Sequence, residues 1–557
     1  MSVLKSLSAP ASIGKTLFAL CALALSGALS ACGGGGGGGG GSSSPAPVSP
    51  PPASTGPVWT QGVYAAASTF KDRCQVVRTG VDIEGTAFPD RAGSTLLEKF
   101  WLRSWTNETY LWNNEVTDRN PADLASRTDY FAVLRTFART ASGKDKDDFH
   151  FSEPTAEFLA RRNAAPTATY GASLVSFSSS PPRDFRIRFT EPGSPAAAVT
   201  AGQPAFERGT RILRINGIDL VNTNSQADIT QLNAALFPAT PGITATFDVR
   251  DPDNTTRTVT LTSVNLSPTA VNRTAVIPTS TGNVGYILFN TFSPFSSEEQ
   301  IVDAIRDMDA ANVQDLVLDL RYNGGGLLAV ASQLSYMIAG PVRTQSRDFE
   351  RLRFNSAAGN RNPVTGQAND PVPFYRTGLG FTVANGAPLP TLDLPRVYVL
   401  TTDDTCSASE AVINGLRGVG VEVILLGNTT CGKPFGFYPQ DNCGETYYTI
   451  QFQGVNDVGF GDYADGFIPN NSTNAFGVRL PGCLVADDYG RELGDPAEGL
   501  LSAALTYRSS LACPAPPTVA SSEEARTSSV QDTIGVPIRL PGASPMDTNR
   551  DMTEPPR

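Results

Sequence analysis

Apolar residues in the second half of the chain form short continuous runs that alternate with segments of helical spacing. The runs at 284–289, 315–320, 397–400 and 421–426 have the length and composition of buried strands. Apolar residues at helical spacing lie between these runs, at Ile301, Ile305 and Met308 and again over 327–338. Strands that alternate with helices are typical of an α/β core. We therefore predict such a core over residues 268–512.

The segment before this core has a helical pattern. Trp101 and Trp105 recur at helical spacing after a capping box formed by Thr95 and Glu98. We predict a helical N-terminal region over residues 58–163, in which the tryptophans belong to the core.

Residues 164–267 change to the alternating pattern of half-buried strands, as in 185–189 and 244–249. A Gly-Ser-Pro-Ala-Ala segment begins at Gly193, and an Ile-Asn-Gly turn ends at Gly217. We predict a β-rich domain here. The chain as a whole is thus expected to be a multidomain α/β protein.

The N-terminus has the pattern of a signal peptide, since Lys5 and Lys15 precede an apolar run that is short for a membrane span. The run closes in Leu29-Ser30-Ala31-Cys32, which resembles the bacterial lipoprotein processing box. That resemblance implies removal of residues 1–31, acylation of Cys32, and a lipid-anchored position in the bacterial cell envelope, at the outer membrane. The alternative is an ordinary secretory signal cut near Ala31.

Two further segments are poor in apolar residues. Glycine, serine and proline dominate residues 32–57, which we interpret as a flexible tether between the anchor and the folded body. Proline, serine and threonine are frequent in residues 513–557, which we expect to be disordered.

Charge and cysteine content narrow the possible partners. The formal net charge is −11, and it becomes −13 once the two lysines of residues 1–31 are removed. An acidic protein does not suit nucleic acid or anionic lipid. Six cysteines lie beyond Cys32, which in an oxidising compartment suggests disulfides. Their spacings are wide and only one histidine, His150, is present, so we expect no metal site.

Ser407 and Lys433 are the candidate catalytic residues. Ser407 follows the 397–400 strand and opens a helical stretch, so it would lie at a helix N-terminus that favours a developing oxyanion. The alternative is that Ser407 or Ser409 only caps the helix. The single histidine is distant in sequence and is interpreted as structural, so a serine nucleophile would need another base, and lysine is a known one.

A glycine-rich turn supports this interpretation. Residues 315–320 form a predicted buried strand, and Arg321-Tyr322-Asn323-Gly324-Gly325-Gly326 follows it. Three consecutive glycines allow backbone amides to approach a ligand closely. Gly427 to Lys433 also fits most of a phosphate-binding loop, but Pro434 stands where a hydroxyl is needed, so we expect no nucleotide and no other cofactor.

These motifs together resemble the C-terminal processing peptidases, also called tail-specific proteases. That family has a D-L-R-x-N-x-G-G turn, an S-A-S-E nucleophile segment and a G-K pair about 25 residues later; here they read Asp319 to Gly326, Ser407 to Glu410, and Gly432-Lys433. The resemblance implies Ser407 as nucleophile, Lys433 as general base, and the amides of Gly325 and Ala408 as the oxyanion hole.

The same resemblance extends to the helical N-terminal region and implies a core with the α/β fold of ClpP and crotonase. The strand order of residues 164–267, with its Gly-Ser-Pro-Ala-Ala segment and Ile-Asn-Gly turn, resembles a PDZ domain. A PDZ domain would bind a peptide as an added strand, with the peptide carboxylate held by backbone amides at Gly171, Ala172, Ser173 and Leu174. The alternative for this domain is a barrel that serves only as a spacer.

One departure concerns the lysine. The family has a glutamine four residues after the lysine, where this chain has Phe437, and Gln440 is the possible substitute. A free lysine titrates near 10.4 and a useful base near roughly 7–8, so we expect Lys433 to be buried. Glu410 would oppose a lowered lysine pKa if it lay close, so it is not assigned to the base.

The sequence therefore predicts a serine endopeptidase of the cell envelope that acts on C-terminal or unfolded protein segments. The alternative is an inactive peptidase-like lipoprotein that binds peptides or glycans, favoured by the missing glutamine. If Ser407 and Lys433 touch, a Cys406–Cys431 disulfide is possible beside them, with Cys431–Cys443 nearly as plausible and Cys443–Cys483 a further pairing.

Overall fold

The computed structural model describes residues 56–514 and 550–553. The predictions for the signal peptide and for Cys32 lie outside these residues, as do almost all of the tether and most of the tail. Within the described residues, no helix is both long enough and apolar enough to cross a membrane.

Eight α-helices lie in the described residues: α1 (Thr95–Thr109), α2 (Arg127–Ala132), α3 (Thr155–Arg162), α4 (Gln226–Leu236), α5 (Ser297–Ala310), α6 (Leu328–Arg343), α7 (Ala408–Gly418) and α8 (Gly499–Ser510).

The first thirteen strands precede residue 268: β1 (Arg73–Cys74), β2 (Arg91–Ala92), β3 (Phe151–Pro154), β4 (Thr167–Thr169), β5 (Ala172–Ser178), β6 (Asp184–Thr190), β7 (Val199–Thr200), β8 (Gln203–Pro204), β9 (Arg211–Ile215), β10 (Ile218–Asp219), β11 (Thr244–Arg250), β12 (Thr256–Thr262) and β13 (Val264–Leu266).

The remaining strands follow: β14 (Val271–Thr279), β15 (Gly282–Phe289), β16 (Asp315–Asp319), β17 (Gly326–Leu327), β18 (Asp348–Arg353), β19 (Val372–Pro373), β20 (Arg396–Thr401), β21 (Glu422–Gly427), β22 (Phe435–Gly436), β23 (Gln440–Asn442), β24 (Glu445–Tyr448), β25 (Phe452–Val455), β26 (Phe467–Pro469), β27 (Val478–Leu480), β28 (Gly482–Leu484) and β29 (Arg550–Asp551).

A six-stranded sheet forms the centre of the predicted α/β core, in the order β14-β15-β16-β20-β21-β28. All its pairs are parallel except β14 with β15. Both faces are covered, since Leu316 and Leu318 belong to the core that includes α5, α6 and α7, whereas Val317 packs in the core that includes α8. Burial on both faces explains why these strands read as continuous apolar runs. The mixed α/β, multidomain class predicted from the sequence is confirmed.

The β-rich segment forms a separate sheet with its own core. Its strands lie in the order β12-β11-β9-β6-β5, β10 pairs with β9, and α4 packs its buried residues into the same apolar cluster. Strand β5 ends the order, so one of its edges has no partner strand within the described residues. The residues proposed for peptide binding, Gly171 to Leu174, lie at the start of this edge strand.

The N-terminal region is less helical than predicted and is integrated into the core. The first helix ends at Thr109, and its N-cap is Ser94 rather than Thr95, because the Ser94 hydroxyl accepts from the Leu97 amide. Strand β3 extends the β23-β24 hairpin. The disulfide Cys74–Cys443, with Cα atoms 5.3 Å apart, joins the same two parts of the chain.

Two features of the C-terminal segment differ from the expectation of disorder over residues 513–557. Cys513 forms a disulfide with Cys483, with Cα atoms 5.5 Å apart. Arg550–Asp551 forms strand β29, which pairs with β17. Hence part of the segment is bound to the folded body despite its low apolar content.

Candidate active site

Three neighbouring parallel strands end at the same edge of the central sheet, and each is followed by one predicted motif. The glycine-rich turn follows β16, the Ser407 segment follows β20, and the Lys433 segment follows β21. Ligands of open α/β sheets bind at the carboxyl ends of the strands. The topology therefore brings together three motifs, of which the first and the last lie more than 100 residues apart in sequence.

Ser407 has the conformation of a residue held in a sharp turn before a helix. It is the N-cap of α7 with φ 60° and ψ −109°, a backbone region that is strained for a residue with a side chain. Its hydroxyl oxygen is buried and, although it faces the Glu410 amide in the arrangement of a capping box, it makes no well-formed hydrogen bond to a described residue. Ser407 thus has the position of a helix cap, and the Glu410 carboxylate accepts from its amide at 3.0 Å, but its hydroxyl is not engaged as a capping side chain is.

Ser409 is engaged differently, although it lies only two residues after Ser407. Its hydroxyl donates to the Asn323 carbonyl at 2.8 Å, and the Cys406 amide donates to the same oxygen at 3.1 Å. Asn323 in turn donates from its side chain to the Phe289 carbonyl at 2.8 Å. Ser409 therefore fastens α7 to the glycine-rich turn, while the Ser407 hydroxyl has no such bond.

The two amides predicted to form the oxyanion hole differ in whether they already have a hydrogen-bond acceptor. Ala408 is the first residue of α7, and an amide at that position has no acceptor within the helix. The Gly325 amide donates to the Asn323 side-chain oxygen at 2.9 Å. It must leave this acceptor before it can serve an oxyanion. Gly325 has φ 112°, a conformation that glycine adopts readily.

Buried arginines hold the glycine-rich turn. The Arg321 guanidinium is fully buried and pairs with Glu498 at 2.8 Å and with Asp487 at 2.7 Å. Arg208 of the β-rich segment pairs with the same Asp487 at 2.8 Å and donates to the Tyr322 hydroxyl at 2.7 Å. Burial disfavours the Asp487 carboxylate, but Arg208 and Arg321 outweigh it and hold the pKa of Asp487 well below its usual range. The turn is thus linked to the β-rich segment by ion pairs.

Lys433 is buried as predicted, with no exposed surface. Its Nζ lies 4.4 Å from the ring centre of Phe149 and 4.8 Å from that of Phe437. Sequence reasoning missed Phe149, because it lies in the N-terminal region, far from Lys433 in the chain. Packing of that region on the hairpin after Lys433 brings the ring to the site, and no local pattern signals it.

Gln440, the possible substitute for the family's glutamine, makes a local contact. Its side-chain nitrogen donates to the Pro439 carbonyl at 3.1 Å, and the residue pairs with Tyr447 in the β23-β24 hairpin. The Phe437 ring stands beside the Lys433 ammonium nitrogen. No contact given by the structure supports Gln440 as the residue that orients Lys433, and that role stays a prediction.

Glu410 links the serine and lysine segments, a role that the sequence interpretation did not assign. Its Oε2 accepts from the amides of Ser407 at 3.0 Å and Lys433 at 2.7 Å. Its Oε1 accepts from the Gly432 amide at 2.9 Å and the Thr430 hydroxyl at 2.5 Å. Burial raises the pKa of this carboxyl, while the donated hydrogen bonds oppose that rise. The carboxylate contacts the backbone of Lys433 and fixes both segments to one side chain.

A disulfide joins the same two segments. Cys406 and Cys431 are bonded with Cα atoms 5.2 Å apart, which confirms the pairing that the sequence placed beside the candidate dyad. The alternatives Cys431–Cys443 and Cys443–Cys483 are wrong, because Cys443 pairs with Cys74 of the N-terminal region. All six distal cysteines are oxidised. The sulfur atoms beside Glu410 are therefore not thiolate ligands for a metal.

His150 has a structural environment. Its ring is buried and stacked on Phe131 at 3.8 Å, with Nε2 2.9 Å from the Phe131 carbonyl and Nδ1 3.1 Å from the Thr449 hydroxyl. Burial lowers the pKa of His150 to about 4, against the opposing effect of Asp147. The ring is neutral near pH 7, with its proton assigned to Nε2 by the carbonyl acceptor.

Part of the chain is similar to known peptidases. Residues 283–438, which contain all three motifs, match the model of peptidase family S41. A carboxyl-terminal-processing protease of Picosynechococcus sp. is 28% identical over 246 residues, which are 43% of this chain and 49% of the relative. The chloroplastic carboxyl-terminal-processing peptidase 3 of Arabidopsis thaliana is 25% identical over 255 residues, which are 43% and 41% of the two chains. The matches thus span about half, or less, of these relatives.

A solved structure supports the fold. The crystal structure of a candidate S41 protease from Bacteroides fragilis is similar with a TM-score of 0.56 and 23% identity, over 74% of this chain and 97% of that one. Similarity at this level of identity bears on the architecture alone.

Proposed function

We propose that the chain is a serine endopeptidase with Ser407 as nucleophile and Lys433 as general base, since residues 283–438 match the model of peptidase family S41. The observation that carries the proposal is the Ser407 hydroxyl, buried and unbonded at the start of α7 while the neighbouring Ser409 is engaged by Asn323. A nucleophile needs such a hydroxyl, whereas a structural serine is hydrogen-bonded.

The reaction proceeds by acyl transfer. Lys433 Nζ, when neutral, takes the proton as Ser407 Oγ bonds to the peptide carbonyl carbon, and the carbonyl oxygen becomes an oxyanion. The Ala408 and Gly325 amides stabilise that oxyanion, the latter after release from Asn323. The Lys433 ammonium then protonates the leaving amine as the C–N bond breaks. Water, deprotonated by Lys433, hydrolyses the acyl-enzyme and restores Ser407.

The test is hydrolysis of an unfolded protein such as reduced, alkylated α-lactalbumin. Ser407→Ala should abolish cleavage and leave the fold unchanged by circular dichroism. The matched control Ser409→Ala should retain measurable activity. An active Ser407→Ala variant beside an inactive Ser409→Ala variant would show that the nucleophile is misassigned. Binding of the substrate without any cleavage would favour the alternative of an inactive peptidase-like protein that binds peptides.

The substrate segment is proposed to bind the β-rich domain in the manner of a PDZ ligand. Strand β5 has an edge without a partner strand, and Gly171 to Leu174 lie at its start, where backbone amides are needed for a carboxylate. The ligand class is a C-terminal or unfolded protein segment. A labelled peptide should bind the Ser407→Ala chain more tightly with a free carboxylate than with a C-terminal amide. Equal binding of the two peptides would argue for the spacer alternative.

The cellular position is proposed from the sequence alone. Acylation of Cys32 would anchor the protein in the bacterial cell envelope, with the glycine-rich tether between anchor and body. Cys32→Ser should abolish lipid labelling and release the protein from the membrane fraction. Unchanged membrane retention of that variant would contradict the anchor.

A further inference from the structure

A short segment near the end of the sequence is bound as a strand beside the candidate active site. Strand β29 pairs in parallel with β17, with Arg550 opposite Gly326 and Asp551 opposite Leu327. The next amide, that of Met552, donates to the Phe437 carbonyl at 3.2 Å. The Met552 side chain is half-buried and packs against the main core. Main-chain pairing and one side chain thus hold residues 550–553 in place.

Strand β17 offers only one edge to a ligand. Its other side is occupied by Phe292, which pairs with Gly326 and accepts from the Leu327 amide at 3.2 Å. The approach is so close that a Cβ on Gly326 would lie 2.3 Å from the Phe292 carbonyl carbon. An open edge fixed in this way is a template for an added strand, because main-chain groups make the bonds whatever the side chains are.

This edge borders both halves of the proposed catalytic machinery. Gly325, a proposed oxyanion donor, directly precedes β17. Phe437, whose carbonyl accepts from Met552, has its ring 4.8 Å from Lys433 Nζ. The bound segment therefore runs between the oxyanion turn and the residues that surround the base.

The catalytic residues are closed off in the same structure. Ser407 and Lys433 both have no exposed surface, and the Gly325 amide is bonded to Asn323. A peptide carbonyl could not reach the Ser407 hydroxyl in this arrangement. Some part of the protein must move before a substrate enters, and residues 550–553 lie against the strand that follows Gly325 and against the Phe437 carbonyl.

We propose that residues 550–553 are an intramolecular inhibitor. They occupy the part of the substrate cleft that would pair with the main chain of a substrate, and this part is formed by the open edge of Gly326–Leu327 and by the Phe437 carbonyl. The proposal rests on the proposed peptidase function, and it names the part of the cleft that holds a substrate main chain. Because the segment belongs to the same chain, it competes with substrate at an effective concentration set by the length of the connecting chain. A substrate that also binds a second site on the enzyme therefore displaces it most efficiently.

The experiment compares the full chain with one that ends after residue 548. The rate at which a fluorophosphonate probe modifies Ser407 should rise at least fivefold on truncation, and the KM for the unfolded protein should fall. A chain that ends after Thr553 is the matched control and should behave as the full chain. A synthetic peptide of residues 545–557 should inhibit the truncated chain competitively.

A point variant separates main-chain pairing from side-chain packing. Met552→Pro removes the N–H that donates to Phe437 and should activate the enzyme more than Met552→Ala, which keeps the N–H and removes only the packing. Equal modification rates in the full chain, the truncated chain and Met552→Pro would overturn the inhibitory role.

A readout independent of activity distinguishes this inference from the peptidase proposal. In the full-length Ser407→Ala chain, the Met552 amide should exchange its hydrogen at least tenfold more slowly than in the free peptide 545–557. Exchange at the rate of the free peptide would overturn the occupancy even if the enzyme is active. A further outcome is that the Met552 amide exchanges slowly in Ser407→Ala although the probe never modifies Ser407 in the wild-type chain. That result would support the binding of residues 550–553 to β17 and would contradict the peptidase proposal.

Discussion

The serine turn and the lysine turn lie at the ends of adjacent strands, yet they are held by different means. The conformation of Ser407 is set by residues close to it in sequence, since a strand, a strained turn and a helix follow one another between Arg396 and Gly418. Lys433 has no helix after it and is placed by distant parts of the protein: the Glu410 carboxylate, the Cys406–Cys431 disulfide and the Phe149 ring. Local structure gives Ser407, the proposed nucleophile, its conformation, and bonds to Asn323 fasten its segment, whereas long-range contacts alone position Lys433, the proposed base.

Because the two turns are held differently, substitutions in them should have different effects on the rate and on the stability. Ser407→Ala removes only the hydroxyl of the proposed nucleophile and should affect chiefly the chemistry, whereas Lys433→Ala removes the proposed base together with its contacts to Phe149 and Phe437. Changes in the contacts that hold the lysine turn should affect both the rate and the stability, because the same bonds join two segments of the core.

The largest effect is expected at the base itself. Lys433→Ala removes the proton acceptor, and the loss of a general base costs a factor of about 10²–10⁴ in kcat. Because the lysine must be neutral to act, kcat/KM of the wild-type enzyme should rise with pH. The control is Lys144→Ala: its bond to the Cys431 carbonyl is long, 3.4 Å, and exposed, so its loss should change kcat far less than the loss of Lys433. Full activity of Lys433→Ala would mean that another group takes the proton.

The next effect concerns the carboxylate that joins the two turns. Glu410→Gln replaces an acceptor oxygen by an NH₂ group among four donors, so we expect kcat to fall about tenfold or more with KM little changed. A buried donor left without its acceptor should also lower the free energy of unfolding by about 1–3 kcal/mol. The exposed Glu299→Gln is the control for both measurements. A variant that loses stability but keeps kcat would leave Glu410 a structural role only.

The sequence predicted the local half of this site better than the distant half. The strand and helix around Ser407, and the order of the motifs, follow from periodicity and from turn residues within short windows. The Phe149 contact and the position of Glu410 between the turns depend on tertiary packing, which no local pattern encodes. The sequence interpretation does not assign Glu410 to the base, because a carboxylate near the ammonium group would raise the lysine pKa. In the structure the Glu410 carboxylate accepts from the backbone amide of Lys433.

A smaller effect on kcat, although not on stability, is expected from the covalent link between the turns. Replacing both Cys406 and Cys431 by alanine releases a loop closed over a sequence separation of 25, which should lower the free energy of unfolding by about 2–4 kcal/mol. It should also lower kcat, since the lysine turn loses one support. The matched control removes Cys483 and Cys513, whose separation is 30, and should cost similar stability without a change in kcat. Equal kcat losses in the two double variants would contradict a specific role for the first disulfide.

The smallest effect is a pH dependence of stability in the N-terminal region that supplies Phe149. The pKa of His150 is about 4 in the folded state and near 6.5 in the unfolded chain. The unfolded state therefore binds a proton first as the pH falls, and stability should decrease from pH 6.5 towards pH 4 by at most about 3 kcal/mol. Chemical denaturation of wild type and His150→Gln over this range checks it. The same slope in both proteins would show that other groups cause the loss.

The central claim is that Ser407 is a nucleophile activated by Lys433, and its most direct test is the site and pH dependence of modification by a fluorophosphonate probe. Peptide mapping by mass spectrometry should find one adduct, on Ser407. The modification rate should rise with pH in the wild-type enzyme and should fall sharply in Lys433→Ala. An adduct on Ser409, or a rate in Lys433→Ala equal to that of the wild type, would contradict the account.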